Sequence, residues 1–334
     1  MEKNRPPIVP TLPRSLYLET TNRCDSKCRT CIRTFTTLEP PKDLNLAELK
    51  QIVDQFPILD RVVLHGIGEP LLNRELFAII AYLKAKGATV LFNSDAISLT
   101  PKRAYQLIGS GLDEYRVSLD AATRETYRKI RGVDQFDRVV QNVRELIGLQ
   151  KRLEQKTPRV SLWFTAMKAN LEELPAFVHL ASQIGAREVY VQRLVFYGQG
   201  LAVQEQSLYR ALQEQEEKLI EDAEYLAQTL QIAFKASGAT TPLTTLQGSN
   251  PGKRPWAGCQ RPWTLSYVTA NGNVLPCCIS PWTVKDYWGL ILGNAFKEDI
   301  ESIWNCKLYK RFRETFKSDG PPDPCWGYGF LWSL

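Results

Sequence analysis

Histidine is nearly missing from this chain: His65 and His179 are the only two among 334 residues. That excludes a histidine-based hydrolase and a multi-histidine metal centre. No run of eighteen apolar residues occurs, which excludes a membrane-spanning helix. The opening residues, Met1-Glu-Lys-Asn-Arg-Pro-Pro7, lack the apolar core of a signal peptide, so a cytoplasmic location is the default expectation. Charge of one sign is lacking as well. The net +6 is small and dispersed, which argues against a nucleic-acid partner. The most informative gap is in cysteine. None falls between residues 32 and 258, although the chain has eight. A disulfide framework does not usually leave such a gap, whereas two separate metal sites account for it. For any single cysteine, Cys278 and Cys306 especially, a small apolar core residue is the plain alternative.

What is present is a series of short apolar strands alternating with amphipathic helices. Strands are expected at 15–20, 61–65, 88–93, 113–119, 159–166 and 187–194. Between them, segments such as 46–56, apolar at 46, 49, 52, 53 and 56, fit a helical period. Asn73, Thr100-Pro101 and Asn170-Leu-Glu-Glu173 read as helix starts, and Gly87, Gly111 and Gly185 as helix ends. Six β-α units in series imply a parallel sheet with right-handed crossovers. The expected class is α/β, a partial (β/α)6 TIM-like barrel with its site at the C-terminal strand ends and a small α+β module after it. The domain reading is an extended lead-in at 1–14, a core at 15–202, a long charged helix (203–231) and linker over 203–256, and a second module from 257 to 334.

The stretch Thr21-Asn-Arg-Cys24-Asp-Ser-Lys-Cys28-Arg-Thr-Cys31 follows the first strand. Its three soft sulfur donors, spaced C-x3-C-x2-C, suit an iron–sulfur cluster or zinc. A structural zinc site wants four ligands, and no fourth Cys or His lies within twenty residues. Zinc completed by a distant residue is the competing reading. After the second strand comes His65-Gly-Ile-Gly-Glu-Pro70. Its glycines let a backbone approach a ligand, and Glu69 can take an ammonium group.

Together these motifs resemble the cluster loop and the Gly-Gly-Glu-Pro turn of the radical S-adenosylmethionine (SAM) enzymes, with Ile67 where the family has a glycine. The resemblance implies that Cys24, Cys28 and Cys31 hold a [4Fe–4S] cluster whose fourth iron binds SAM. Gly66, Gly68, Glu69 and Pro70 would hold the SAM amino group. Asn93 and Ser94, ending the third strand, would face the same site. Ser118 and Asp120, ending the fourth, would approach the ribose or carboxylate, with Arg131 reaching the carboxylate and Met167 touching adenine. Helix capping is the alternative for Ser118 and Asp120, and a core position for Met167.

In the second module, Cys259 and Cys277 flank an Asn271-Gly272 hairpin turn, which brings them to the same end of two strands. The pattern Cys259-x12-Gly272-x4-Cys277, with Gly293-Asn294 and Ile303-Trp304-Asn305 after it, is similar to the SPASM and shorter twitch domains of radical SAM enzymes. That implies one auxiliary [4Fe–4S] cluster held by Cys259, Cys277 and Cys325. Cys278, Cys306, Tyr328 or an open iron site stands for the fourth ligand. The implied activity is reductive cleavage of SAM to a 5′-deoxyadenosyl radical that takes hydrogen from a substrate. A dehydrogenase-like oxidation of a small polar substrate, such as a sugar or aminocyclitol, is the first expectation. A peptide maturase and a non-catalytic electron carrier are the others. The implied partners are the substrate, small molecule or peptide, and a reductant such as flavodoxin or ferredoxin.

Overall fold

The computed structural model describes residues 5–238, 240–248, 255–282, 286–320, 322 and 325. In chain order the elements are β1 (Ser15–Leu18), α1 (Leu46–Val53), β2 (Arg61–Leu64), α2 (Leu76–Ala85), β3 (Thr89–Ser94), α3 (Pro101–Gly109), β4 (Glu114–Ser118), α4 (Arg124–Arg131) and α5 (Phe136–Arg152). There follow β5 (Arg159–Ala166), α6 (Leu174–Ile184), β6 (Glu188–Arg193), α7 (Glu214–Thr229), β7 (Ala233–Ala236), α8 (Pro242–Gln247), α9 (Arg261–Thr264), β8 (Leu265–Val268), β9 (Asn273–Leu275), β10 (Gly293–Asn294), α10 (Ile300–Trp304) and α11 (Lys307–Thr315). All six expected strands form, within two residues of the expected ends. Among the described residues no helix is long and apolar enough to cross a membrane.

The chain forms two compact units. The first joins Met1–Cys24, Thr36–Phe92 and Pro251–Leu334; the second joins Asp25–Phe35 and Asn93–Asn250. In the first, β1 pairs in parallel with β2, and β2 with β3. On its other edge β1 pairs in parallel with β8, Ser15 opposite Leu265 through Leu18 opposite Val268, and β9 and β10 extend the ladder antiparallel. The C-terminal hairpin is thus built into the sheet of the N-terminal segment. Leu16, Leu18, Val62 and Leu64 are fully buried, as are Leu49 and Ile52 on α1 and Ile79 and Ile80 on α2. Strands buried on both faces are what a parallel sheet demands.

In the second unit β4, β5, β6 and β7 pair in parallel. Here two expectations are corrected. The charged stretch 203–231 is not one helix. It holds a short turn at Gln204–Gln206, and only Glu214–Thr229 is α-helical. The stretch 237–256 is not only linker, because α8 opens on Pro242 under a Thr241 cap. Strand β7, between them, adds a seventh parallel strand that the polar sequence concealed.

Caps explain several boundaries. Thr100 accepts from the Arg103 amide at 3.3 Å, and Pro101 opens α3, as its sequence position requires. Asn45 and Glu48 form a reciprocal box at the start of α1, at 2.9 and 3.0 Å. Asn170-Leu-Glu-Glu173, read as a helix start whose ends could form such a box, forms none. Asn170 instead donates to the carbonyls of Asp120 and Thr165, at 2.9 and 3.0 Å. Glu173 accepts from the amides of Ala122 and Thr123. Both residues brace the turn after β4 instead of capping α6.

Candidate functional site

The residues singled out in the sequence divide between the units: Cys28, Cys31 and the residues from Asn93 to Met167 lie in the second, and Cys24, the turn at 66–70 and the later cysteines in the first. In the second unit the cysteine loop is strapped down by its backbone. The amides of Lys27 and Arg29 donate to the carbonyls of Arg131 and Ile130, at 3.2 and 2.8 Å, in the last turn of α4. Those carbonyls have no intrahelical partner, so the loop satisfies them. Leu201 donates to the Arg29 carbonyl at 2.7 Å. Two glycines allow this approach. A β-carbon on Gly132 (φ 69°) would collide with the Lys27 carbonyl, and one on Gly200 (φ 58°) with the Arg29 carbonyl. Inside the loop, Cys31 N–H and the Thr34 hydroxyl both donate to the Cys28 carbonyl, at 3.1 and 2.8 Å.

Arg131 lies beside Cys28. It is 8% exposed and donates to Asp120 at 2.9 Å. The other Asp120 oxygen accepts from the Thr165 amide at 2.7 Å. Asp120 holds a left-handed backbone, φ 62°, a strain usually kept where a side chain must be aimed. Its carboxylate thus serves Arg131. Burial disfavours the Arg131 charge, but Cys28, Asp120, Tyr127 and Asp95 together outweigh it and raise the guanidinium further. Burial pushes the Cys28 thiol up, and Arg131 pulls it back. Burial and the neighbouring Cys28 push Cys31 up to about 12. Sulfurs held this way, next to a fixed cation, fit an anionic iron–sulfur cluster, since a coordinating thiol is deprotonated outright.

The remaining calls of this unit separate. Asn93 and Ser118 are half-buried at strand ends. Ser94 is buried and accepts from the Ala96 amide and the Tyr115 hydroxyl, at 2.9 and 3.0 Å. Met167 is fully buried in an apolar cluster with Ile130, Leu194 and Leu201. Residues that sequence reasoning missed are Asp25, bonded to Ser98 at 2.6 Å, and Asp95, which burial and the Asp25 charge push up to about 6. Gly200 was also missed; its positive φ carries no sequence mark beyond glycine itself.

In the first unit, Cys24 is half-buried. The glycine turn after β2 is shaped by the chain itself. A β-carbon on Gly66 would strike the Glu19 side chain, and one on Gly68 would strike the Thr21 and Arg23 carbonyls. The Glu69 amide donates to the Arg23 carbonyl at 2.8 Å, and its buried carboxylate accepts from the Leu71 amide at 3.0 Å. Pro70 opens the short turn Pro70–Leu72. The glycines therefore seat the lead-in to the cysteine loop. Beside them, His65 stacks on Trp282, ring centres 5.9 Å apart, and meets Tyr17 edge-on.

The later cysteines divide in two. Burial raises the thiols of Cys259, Cys278 (to about 11) and Cys325; Cys325 and Cys278 each feel both Cys259 and Cys277. The buried Arg261 counters the rise at all three. Cys277 is buried, with its sulfur 3.4 Å from the Ser280 hydroxyl. Three sulfurs near one guanidinium, with Cys277 beside them, fit a second cluster by the same chemistry. Cys306 does a different job. It caps α11, accepting from the Tyr309 amide at 3.3 Å and donating to the Leu292 carbonyl at 3.5 Å. Tyr328 lies outside the described residues.

Two family models match the stretches of chain that carry these cysteines. The model of the radical SAM superfamily matches residues 18–154, and that of the SPASM iron–sulfur cluster-binding domain matches residues 259–327. An AdoMet-dependent heme synthase of Methanosarcina barkeri is 25% identical over 94% of this chain and 88% of its own. A probable GTP 3′,8-cyclase of Saccharolobus islandicus is 35% identical, over 46% of this chain and 48% of its own. Among solved structures, Streptococcus suis SuiB bound to S-adenosylmethionine covers 91% of this chain and 68% of its own, with TM-score 0.66 and 17% identity. AnSMEcpe with bound AdoMet covers 91% and 84%, with TM-score 0.66 and 15% identity. These likenesses show the fold, an α/β partial barrel. The domain pair implies a SAM-binding [4Fe–4S] cluster, SAM, and auxiliary iron–sulfur binding. The chain therefore belongs to the radical SAM superfamily, with a SPASM iron–sulfur domain at its C-terminal end.

Proposed function

We propose that this radical SAM enzyme oxidises a small polar substrate, with Cys24, Cys28 and Cys31 holding the SAM-binding cluster and Cys259, Cys277, Cys278 and Cys325 an auxiliary one. When bound, a cluster on Cys24, Cys28 and Cys31 would supply the one-electron reduction of SAM and with it the hydrogen-abstracting chemistry of this enzyme class. Arg131, fixed by Asp120, places a permanent positive charge beside Cys28 and lowers the cost of the cluster's negative charge. Gly66, Gly68, Glu69 and Pro70 shape the turn for the SAM amino group. Asn93, Ser94 and Ser118 supply polar atoms at strand ends, where such a fold keeps its chemistry. Met167 acts through packing, since its apolar cluster fixes the last turn of α4 behind the loop.

The observation that carries the oxidative reading is the second set of sulfurs around the buried Arg261. A cluster held by such a set would supply an acceptor for the electron left on the substrate, which would make the net change a two-electron oxidation. The test is anaerobic reconstitution with SAM and dithionite. Release of 5′-deoxyadenosine is expected from the native chain and its complete loss from Cys28→Ala. Intact, reducible clusters that release none would establish an electron carrier instead. A second reading, a step of heme synthesis, rests on the near full-length match to the named synthase. Peptide maturation draws only on fold-level likeness to proteins solved with peptides.

A further inference from the structure

The first unit contains a cleft that none of the roles above uses. It is lined by Glu19, Glu39, Ile67, Tyr267, Thr269 and Tyr287, among others. Both carboxylates are buried, at 3% and 6% exposure, and neither has an ion-pair partner among the described residues. Every donor they have is neutral. Glu19 accepts from the amides of Ile67 and Ala270, at 2.7 and 3.2 Å. Glu39 accepts from Tyr287 Oη at 2.6 Å and from Asn273 and Asn271 Nδ2 at 2.7 and 2.9 Å. A carboxylate offers about four acceptor positions, so both keep some unfilled. Tyr267 lines the same cleft, and its hydroxyl is buried and bonds to nothing among the described residues. A buried hydroxyl without a partner carries a desolvation cost that a ligand would recover.

We propose that this cleft is a subsite for a primary ammonium group of the substrate, held by Glu19, Glu39 and the Tyr267 hydroxyl. The inference rests on the enzymatic reading above and narrows its substrate to an amine-bearing molecule. Three acceptors match the three donors of an ammonium group, and the free space is that of one water-sized group. Two buried carboxylates without a cation are a costly arrangement that a bound cation relieves. Burial and the Glu39 charge hold Glu19 at about 7, and an ammonium neighbour would bring it back to the ionised form. The location suits a substrate. The Ile67 amide that bonds Glu19 belongs to the Gly66-Ile67-Gly68-Glu69 turn, and Tyr267 and Thr269 come from the SPASM hairpin.

The test is calorimetric titration of the SAM-saturated, cluster-loaded enzyme with 1,4-diaminobutane and with the neutral 1,4-butanediol. Diamine binding at least about tenfold tighter than the diol is expected. Glu39→Gln should weaken the diamine at least about tenfold, and Tyr267→Phe, which removes only a hydroxyl, about three- to tenfold. Equal binding of diamine and diol, no binding of either, or a diamine indifferent to both variants overturns the subsite. Ammonium chloride should compete with the diamine, and sodium chloride of equal strength should not. Ammonium that binds where the diamine is shut out, or a cleft that keeps only a water, also overturns the substrate assignment. Thermal melts of both variants confirm folding. Diamine binding by a native enzyme that releases no 5′-deoxyadenosine would sink the enzymatic reading and leave the subsite standing.

Discussion

Two buried carboxylates, one in each unit, live under opposite rules. Asp120 in the second unit is 2% exposed and faces Arg131 at 2.9 Å, so its charge is answered inside the protein. Glu19 in the first is 3% exposed and meets only neutral amides. Glu19 is held at about 7, because no cation opposes its burial or the nearby Glu39. A charge answered within the fold reads as architecture. A charge left unanswered reads as a place for something that arrives later.

The largest effect is expected from breaking the answered pair. Asn tolerates a left-handed backbone, so Asp120→Asn keeps the turn at φ 62° and removes only the charge. It strands the Arg131 guanidinium, and breaking such a buried pair costs about 3–5 kcal/mol. Chemical denaturation under anaerobic conditions measures it. A loss below about 1 kcal/mol would mean that Arg131 is satisfied by the cysteine loop alone and that the contrast with Glu19 is false.

The next effect concerns pH. The folded Glu19 carboxyl is raised from 4.5 to about 7, so between those values the native state holds a proton that the unfolded chain has lost. Its contribution is complete below about pH 4.5 and disappears as pH rises through about 7. The difference in stability between native protein and Glu19→Gln should therefore shift by up to about 3 kcal/mol across that window, the native chain losing ground as pH rises. A flat difference would show that Glu19 is ionised throughout and already neutralised. Adding the diamine should shrink the shift, because a bound cation lowers the carboxyl again.

The sequence made the strands visible, since short apolar runs with glycine behind several of the helices leave few alternatives. The positive φ of Gly87, Gly111 and Gly185 accords with that punctuation. The three-cysteine loop and the Glu69-Pro70 turn were equally legible, being local patterns. What stayed hidden depends on distance along the chain. Nothing in Ser15–Leu18 announces that it pairs with Leu265–Val268, and that pairing is what brings Glu19 to the Ala270 amide. Strand β7 was hidden differently. Its four residues, one of them Lys235, are mostly solvent-facing, so the apolar alternation that marks a strand is absent. Cys306 looked like a ligand because composition counts sulfurs and does not see that this one closes a helix end.

The smallest effect sharpens the comparison from the other side. Arg124 and Asp134 form two parallel bonds of 2.7 Å each, shorter than the 2.9 Å between Arg131 and Asp120. On geometry alone the outer pair should be the stronger. Its side chains, however, are 63% and 40% exposed, against 9% and 3% for the inner pair. Water answers an exposed charge almost as well as its partner does, and salt screens the rest. Arg124→Gln should therefore leave the melting temperature unchanged in about 0.5 M salt, where the Debye length is only a few ångström. Asp120→Asn should lower it under the same conditions. A clear drop with Arg124→Gln would mean that bond length, and not burial, decides what an ion pair is worth in this chain, and the distinction between answered and unanswered buried charge would lose its basis.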